Sequence, residues 1–399
     1  GGPPHPARRG PTALCLDWRN GTLSAMGSLA ASDNSQSLVV AEVRALAGPA
    51  AALDPRLIDA AVRAWSDNTK RAFVSDLTLW AELCRQRHIA PDNATPELVA
   101  AWIRVLGRTA DGDEVKLQRE WKQRSPATIA RYLVHIGMAY RMGGLTDPTA
   151  EPLVKLELKA MRRARGTRQR QARGIRFKGE VADLDGPASG VCLAHLIKAC
   201  RRDWLGLRDA ALIRTAYDTA CRRSELVSIR VDHIEGDGAG GGALYIPSSK
   251  TDAEGQGAYA YLSPATMKAI RDWKKDGDIR EGPLFRRVEC HADGSVRCVG
   301  NAALHPNSIT LIYRRLIRDA YAKGLLGEIS ETRFEKLLKE ISSHSIRVGV
   351  AQDNFAAGEG LPAIMQAYRW RDPATVMRYG ARLATQSGAA ARLAKRFTS

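Results

Sequence analysis

The stretch "ISSHSIRVGVA", residues 341–351, places a histidine and an arginine three positions apart, at His344 and Arg347. A helix that begins at Ser342 or Ser343 would be capped by a serine hydroxyl. In that helix the two basic side chains lie on the same face of the first turn. Two donors beside a helix N-terminus suit an anion. A solvated basic turn is the alternative, and the rest of the chain has to decide between the two.

The charge balance of the chain favours a polyanionic partner. The 399 residues carry 60 Lys and Arg against 43 Asp and Glu, which gives a net charge of +17 and a pI near 9.8. Nucleic acid is the first candidate and an acidic membrane surface the second. No apolar run reaches the roughly 18 residues of a membrane span, and no secretion signal opens the chain. We therefore expect no membrane partner and a cytoplasmic location.

The cysteines and the carboxylates give no sign of a metal or a cofactor. Seven cysteines are scattered along the chain, as is typical of a reducing compartment. "CHADGSVRC", residues 290–298, has no second Cys/His pair at ligand spacing, so we interpret it as a loop with reduced thiols. No carboxylate cluster and no GxxxxGK[ST] motif is present, which disfavours a two-metal nuclease and the use of ATP. We expect no cofactor.

The first half of the chain predicts a tail followed by a helical domain. Residues 1–50 are rich in Pro, Gly, Ala and Ser and predict a disordered or weakly ordered tail. Over 51–164, a cap residue followed by proline opens several helices, as at Asp54–Pro55 and Thr95–Pro96. Their apolar stripes are Phe73, Leu77 and Trp80; Leu98, Trp102 and Leu106; and Ile129, Leu133 and Ile136. We predict four or five amphipathic helices in an all-α domain.

A block of like charge follows this domain. Residues 161–178 contain no acid and hold Arg162, Arg163, Arg165, Arg168, Arg170, Arg173, Arg176 and Lys178. Such a block repels itself unless counter-charges lie nearby, and phosphate is the natural counter-charge in a basic protein. We interpret 165–190 as a basic interdomain linker that crosses DNA. A solvated linker is the alternative.

The remainder, 191–399, predicts a second domain that is mostly α with one small antiparallel sheet. The runs "VSIRVDHIEG", "GALYIPSS" and "GAYAYLSP" are strand-like and are separated by glycine-rich turns. Residues 282–305 are rich in loop-forming residues. The fold class is therefore mainly α, with a helical N-terminal domain and a mixed α/β second domain.

Seven positions of the second domain form a set that suits a phosphodiester. They are Arg222, Glu225, Lys250, His344, Arg347, Trp370 and Tyr379. Two guanidiniums hold non-bridging oxygens with permanent charge, and an imidazole adds a donor. A tyrosine oxygen can attack phosphorus and keep the phosphate bound to the protein. A lysine on a mobile turn can protonate the departing sugar oxygen.

Each position also has an ordinary interpretation. Arg223 competes with Arg222, and Glu225 could be only an i,i+3 ion-pair partner on a helix surface. A single lysine or tryptophan is more often inert or part of the core. Tyr368, Tyr313 and Tyr321 compete with Tyr379. The specific signal is the joint order of R–E, K, HxxR, W and Y.

That order resembles the catalytic domain of the tyrosine site-specific recombinases, the phage integrase family. The stretches that carry the resemblance are "AYDTACRRSELVSIRV", "SSKTDAEG", "SHSIRVGVAQDNFAAG" and "IMQAYRWRDPATVMRYGARL". The family pattern favours Arg222, three before Glu225, and Tyr379, nine after Trp370. The tryptophan points to one branch of the family. The resemblance covers 191–399 well, covers 54–164 more faintly as a core-binding domain, and does not reach 1–50.

The resemblance implies a role for each of the seven residues. Arg222, His344, Arg347 and Trp370 would bind the scissile phosphate, and Lys250 would protonate the 5′-oxygen. Glu225 would position Arg222, and Tyr379 would form a 3′-phosphotyrosine link. No cofactor is implied.

The resemblance also implies an assembly on double-stranded DNA. Members are expected to be monomers in solution and homotetramers on two inverted-repeat sites, with two domains that clamp the duplex. The C-terminal helix of one subunit docks on its neighbour, and residues 384–397 could be that helix. The candidate DNA contacts are Lys70, Arg71, Lys122, Arg124, Arg131, Arg162, Arg163, Arg165, Arg168, Arg170, Arg173, Asn307 and Ser308. The polar residues near 307 could equally be a helix cap.

Three functions stay open at this point. A site-specific recombinase is favoured. A type IB topoisomerase or a hairpin-forming resolvase shares the chemistry, and a catalytically silent DNA-binding protein would share the scaffold. The target sequence and its spacer are not encoded in any pattern that we can interpret.

Overall fold

The computed structural model describes residues 27–48, 51–168, 171–179, 184, 186–247, 257–381 and 388–398. The chain divides into two compact units, and the division falls after residue 170. None of the helices in these ranges combines the length and apolar character that a membrane span requires.

The first unit consists of helices. They are α1 (Gly27–Ala47), α2 (Pro55–Ala64), α3 (Asp67–Gln86), α4 (Pro96–Gly107), α5 (Glu114–Glu120), α6 (Pro126–Met142) and α7 (Pro152–Arg165). Asp54, Thr95 and Ser125 each accept a backbone N–H of the first turn, with proline at the next position. These caps set where α2, α4 and α6 begin, as their sequence signals predict.

The core of the first unit is built from the three predicted stripes. All nine residues are buried, with Phe73, Trp80, Ile129 and Ile136 completely inaccessible. The aromatic rings of Trp80 and Trp102 pack with their centroids 5.3 Å apart. The amphipathic periodicity therefore identified the faces that pack together.

The predicted tail differs from the structure over 27–47, which form helix α1. Val39, Val43 and Leu46 of this helix are buried in the core of the first unit. The stretch is rich in Ala and Ser and gives a weak periodic signal by itself, so its helical state depends on burial against neighbouring helices. Residues 1–26 lie outside the described ranges.

The second unit carries the remaining elements. Its helices are α8 (Leu193–Ala199), α9 (Trp204–Thr219), α10 (Arg223–Ser228), α11 (Pro264–Asp276), α12 (Ser308–Ala322), α13 (Glu331–Glu340), α14 (Ser345–Ala357), α15 (Leu361–Ala367), α16 (Pro373–Gly380) and α17 (Ala389–Thr398). Its strands are β1 (Ile234–Gly236), β2 (Gly242–Ile246), β3 (Ala258–Leu262), β4 (Arg286–Cys290) and β5 (Val296–Ala303). The mainly α fold class with small antiparallel sheets is confirmed.

The three predicted strands pair in the order β1-β2-β3, all antiparallel. A second sheet, the β4–β5 hairpin, occupies most of the 282–305 region that we expected to be a loop. Most residues of β5 are exposed or only partly buried. Because both faces of the hairpin are largely solvated, the sequence lacks the alternation of apolar residues that marks a half-buried strand.

Part of the predicted linker also differs from the structure. Residues 173–177 pack on the second unit, where Ile175 is completely buried. Arg176 is buried as well and donates to Asp353 across 2.5 Å. A buried, ion-paired arginine is not available to phosphate, so Arg176 does not contribute to the exposed charge of the block.

Candidate active site

The stretch that contains His344 and Arg347 starts its helix later than expected. Helix α14 begins at Ser345 with His344 as the N-cap, and neither Ser342 nor Ser343 caps it. Instead, the Ser342 hydroxyl accepts the backbone N–H of His344 across 3.1 Å, and the Ser345 hydroxyl accepts that of Ser342. The serines thus stabilise the turn before the helix. The histidine and the arginine still emerge from one helix start.

Arg222 stands where α9 has ended and α10 begins. Ala220 adopts a left-handed conformation that ends α9. The Glu225 carboxylate accepts the backbone N–H of Arg222 across 2.9 Å and its guanidinium across 2.8 Å. Glu225 is buried while Arg222 is partly exposed. The carboxylate therefore holds both the backbone and the guanidinium of the arginine from the protein interior. The neighbouring Arg223 points instead to Asn307, whose side chain accepts its guanidinium.

Arg347 lies at the centre of the cluster. It is 5% exposed, and it donates to the Ala220 carbonyl. Its guanidinium carbon lies 5.3 Å from the centre of the Trp370 ring, within the range of a cation–π contact. Burial, and then the charge of nearby Arg222, lower the pKa of Arg347. The two guanidiniums repel each other and create a positive potential at the site. A bound phosphate would reduce this repulsion.

Tyr379 also contacts Trp370. The two rings meet edge to face with centroids 6.0 Å apart. Tyr379 lies near the end of α16, and Asp372 caps the start of that helix by accepting the N–H groups of Ala374 and Thr375. A Cβ on the following residue, Gly380, would overlap the Phe355 ring, so only glycine allows this close packing of α16.

The competing tyrosines are in different surroundings. Tyr313 is buried in the core, and burial raises its pKa. Tyr368 has a raised pKa for the same reason, and its hydroxyl accepts from Asn354 across 3.1 Å. Tyr321 stacks on Phe334, at 4.1 Å between centroids. The rings of Tyr368 and Tyr379 both contact Trp370, with centroids 5.4 Å and 6.0 Å from it, but the hydroxyl of Tyr368 is already bound to Asn354.

His344 completes the positive cluster. The residue keeps an exposed edge, but desolvation of the imidazole and the charges of Arg347, Arg223 and Arg222 lower its pKa below the ordinary 6.5. The lowered pKa favours the neutral imidazole in the free protein. A DNA phosphodiester, which carries one negative charge, would offset the repulsion from the guanidiniums.

The lowered pKa of His344 predicts a pH dependence of stability. As pH falls through 6.5, the unfolded chain binds the proton before the folded chain does, so the free energy of unfolding decreases. The contribution is complete above 6.5 and is lost between 6.5 and the lower folded pKa. Urea denaturation from about pH 5 to pH 7.5 should give a steeper decline for the native protein than for His344→Gln. Equal slopes in the two proteins would contradict the lowered pKa.

Lys250, the predicted proton donor, lies outside the described residues, in the gap between β2 and β3. The other six predicted residues are brought together by the fold. They come from the α9–α10 junction, the start of α14, the loop before α16 and the end of α16.

Sequence reasoning missed the residues that support the cluster. Arg369 has a left-handed backbone, with φ of 57°, and donates to the Thr219 carbonyl across 3.0 Å. It thereby ties the loop that carries Trp370 to the end of α9. Gln352 and Asp353, on α14, bind Tyr379 and the 173–177 segment. A non-glycine residue in the left-handed region leaves no mark in the sequence, so no local signal pointed to Arg369.

The predicted DNA contacts occupy varied positions. Arg71, Lys122, Arg131 and the described arginines of 162–168 are exposed, whereas Arg124 is half-buried and Arg170 lies outside the described residues. Lys70 is nearly buried beside Asp67, which does not fit an exposed phosphate contact. Two others already have acidic partners: Arg131 is bidentate to Asp76, and Arg173 lies 3.9 Å from Glu340. Near the start of α12, Asn307 makes no cap bond and Ser308 is half-buried.

Comparison with known proteins shows which family and which relatives this chain is similar to. Residues 192–386 match the model of the phage integrase family. The recombinase Cre of Escherichia phage P1 is 27% identical over 339 residues, which cover 83% of this chain and 89% of Cre. An integrase/recombinase XerD homologue of Selenomonas ruminantium is 27% identical over 322 residues, 79% of this chain and 81% of that protein.

A solved structure agrees with the fold. The Tn1549 transposon integrase in complex with transposon right end DNA superposes with a TM-score of 0.50 at 12% identity, covering 92% of this chain and 99% of that chain. The family match and the sequence relatives identify an enzyme that cleaves and rejoins DNA. The second unit carries a domain of the phage integrase family, the tyrosine recombinases, and the chain is similar to site-specific DNA recombinases of that family. The similarity to Cre is of modest identity.

Proposed function

We propose that this protein recombines specific DNA sites through a covalent 3′-phosphotyrosine intermediate formed by Tyr379. The observation that carries the proposal is the grouping of Arg347, Trp370 and Tyr379, beside which the charge of Arg222 lowers the pKa of Arg347. Arg347 lies 5.3 Å from the Trp370 ring centre, and that ring lies 6.0 Å from the Tyr379 ring. This grouping supports the proposal, because phosphoryl transfer to a side chain requires a nucleophile close to groups that hold the phosphate.

The scissile phosphate binds between Arg222, Arg347, His344 and Trp370. The guanidiniums neutralise the charge that grows on the non-bridging oxygens in the transition state. The Trp370 indole N–H is buried and has no hydrogen-bond partner within the part of the chain that the structure describes. A buried donor without an acceptor is costly, so a phosphate oxygen would supply the partner that this group lacks.

Cleavage is a single displacement at phosphorus. The Tyr379 oxygen forms a bond to phosphorus as it gives its proton to solvent, and the bond from phosphorus to the 5′-oxygen breaks. Lys250 gives the 5′-oxygen its proton. Glu225 acts by holding Arg222, as its two hydrogen bonds indicate. The phosphotyrosine ester conserves the energy of the broken bond, so religation needs no nucleotide and no cofactor.

Strand exchange requires several subunits on DNA. The proposed assembly is a homotetramer on two inverted-repeat sites, formed from monomers, with each chain clamping the duplex between its two domains. Helix α17 supports this proposal because its apolar Leu393 and Phe397 are 54% and 80% exposed. Large exposed apolar side chains on a terminal helix suit a docking site on a neighbouring copy.

The arginines at the end of α7 supply part of the non-specific DNA affinity. Arg162, Arg163, Arg165 and Arg168 are exposed. Replacing all four with alanine should weaken binding to every DNA sequence. The slope of log affinity against log salt should fall by roughly 0.9 for each phosphate that the protein no longer neutralises. Fluorescence anisotropy titrations over a salt series measure the slope.

Arg63 and Arg85 provide the matched control for this experiment, because both are exposed and ion-paired within the first unit. Their replacement should change the slope little. A slope that is equal in the fourfold variant and the native protein would remove the end of α7 from the DNA interface.

The test of the proposed function begins with the selection of binding sites from a random DNA pool. A selected site is then nicked so that the short fragment carrying the 5′-hydroxyl diffuses away after cleavage. Religation is thereby prevented, and a covalent protein–DNA adduct accumulates. Relaxation of supercoils without exchange of strands would favour a topoisomerase, and binding without adduct would favour a silent DNA-binding protein.

A further inference from the structure

The 173–177 segment runs along α14, the helix that begins just after His344. The backbone N–H of Arg173 donates to the Glu340 carbonyl across 3.1 Å, and that of Ile175 donates to the Ser345 carbonyl across 2.8 Å. The packing is close, because a Cβ at Gly349 would overlap the Ile175 carbonyl group. The segment is therefore held against the first turns of the helix by backbone contacts.

Asp353 anchors the other end of the segment. Its carboxylate accepts the Arg176 guanidinium across 2.5 Å, the Phe177 backbone N–H across 2.8 Å and the Tyr217 hydroxyl across 2.6 Å. Both Asp353 and Arg176 are buried. A buried carboxylate with three donors is a rigid attachment point, since the loss of any partner would leave charge uncompensated.

Gln352, the neighbour of Asp353, connects this segment to Tyr379. Its amide nitrogen donates to the Tyr379 carbonyl across 3.3 Å. That carbonyl lies at the C-terminal end of α16, where helix carbonyls have no donor within the helix. The other side of the same amide packs on Gly174, where an added Cβ would overlap the Gln352 side-chain oxygen.

We propose that Gln352 is a positioning residue for Tyr379 and that the 173–177 segment holds it in place. The inference rests on the proposed role of Tyr379 as nucleophile. Gln352 supplies the donor that the end of α16 lacks and so fixes the backbone from which the phenol projects. Gly174 leaves the space in which the side-chain amide of Gln352 keeps this orientation. Asp353 holds Gly174 in position because it anchors the neighbouring residues Arg176 and Phe177.

Gly174→Ala tests the proposal with a single added methyl group. The methyl would meet the Gln352 oxygen and, at 3.2 Å, the Val348 side chain. The flexible end of Gln352 can move away at little cost to the fold, but its bond to the Tyr379 carbonyl is then broken. In single-turnover reactions at saturating DNA, the rate of adduct formation should fall roughly tenfold, with DNA affinity unchanged.

Gly236→Ala is the matched control, since a Cβ at Gly236 in β1 would meet nothing within 4 Å. Its cleavage rate should equal that of the native protein. Gln352→Glu keeps the shape of the side chain but removes the donor, and it should lose rate as Gly174→Ala does. Thermal unfolding of each variant sets a reaction temperature at which all of them are folded.

The double variant Gly174→Ala, Gln352→Ala decides whether the two residues act together. If the methyl acts only by displacing Gln352, the double variant is no slower than Gln352→Ala alone. A general weakening of the fold would instead make the two reductions in rate multiply. Native cleavage rates in Gly174→Ala or in Gln352→Glu, or reductions that multiply, would overturn the proposal.

These outcomes are separate from the failure of the proposed function. If Tyr379→Phe still forms the adduct, the assignment of the nucleophile falls. If Tyr379→Phe forms none while the Gln352 variants cleave at the native rate, the nucleophile stands and only the positioning role falls.

Discussion

Tyr379→Phe is expected to form no covalent adduct on a nicked substrate. The change removes a single oxygen, the atom that would bond to phosphorus, and no neighbouring group can replace it at the same position. Loss of a nucleophile that acts within a catalytic set lowers the rate by roughly 10⁴-fold or more. The ring, its edge-to-face contact with Trp370 and the Gln352 bond to its carbonyl all remain. Folding and DNA binding should therefore be unchanged.

The measurement is denaturing gel electrophoresis of labelled substrate, in which the adduct migrates with the protein. Tyr368→Phe is the matched control, because it also removes one hydroxyl from the same region, where that oxygen accepts from Asn354. It should still form the adduct. Peptide mapping of the native adduct to a residue other than Tyr379 would contradict the assignment.

Arg347→Ala is expected to stop cleavage while the protein still binds its site. Removal of one preorganised donor to a charged transition state typically lowers the rate by about 10² to 10³-fold. Affinity depends on many phosphate contacts spread along the duplex, so the removal of one buried arginine should affect it little. Filter binding and single-turnover cleavage, measured on one site, separate the two effects.

The stability of this variant needs its own control. Arg347 is buried and donates to the Ala220 carbonyl, and an acceptor left without a donor costs about 1 to 3 kcal/mol. Arg347→Gln retains a donor near that carbonyl but lacks the charge, so it should fold more stably than the alanine variant and cleave almost as poorly. Either variant could bind DNA as weakly as the fourfold alanine variant of the arginines at 162–168. In that case Arg347 contributes to affinity and its assigned role is wrong.

Local patterns in the sequence predicted much of the fold. Cap residues followed by proline fixed the starts of α2, α4 and α6, and period-3.6 stripes identified residues such as Trp80 and Ile129 as core. These signals are readable because a helix start and a helix face depend on residues within a few positions of each other. The same locality explains the misses. Helix α1 and the β4–β5 hairpin have weak periodic signals of their own.

The candidate site likewise combines features that the sequence predicts with features that it does not. The chemical types and spacings of Arg222 with Glu225, His344 with Arg347, and Trp370 with Tyr379 can be recognised along the chain. The place in the fold where these pairs meet cannot be recognised along the chain. The partners that support them cannot be recognised there either. Arg176 and Asp353, for example, bond across 177 positions. No short-range pattern constrains such a contact.

The sequence by itself determined the helical class of the protein, the basic character that suits DNA, and the reactive groups it carries. Only the tertiary structure decided that Arg347 packs on Trp370, that the Tyr379 ring contacts the same tryptophan, and that Arg176 of the basic block is packed away from solvent. The physical reason is that helix formation and charge are properties of neighbouring residues. The position of a guanidinium in space is instead set by the packing of the whole core around it.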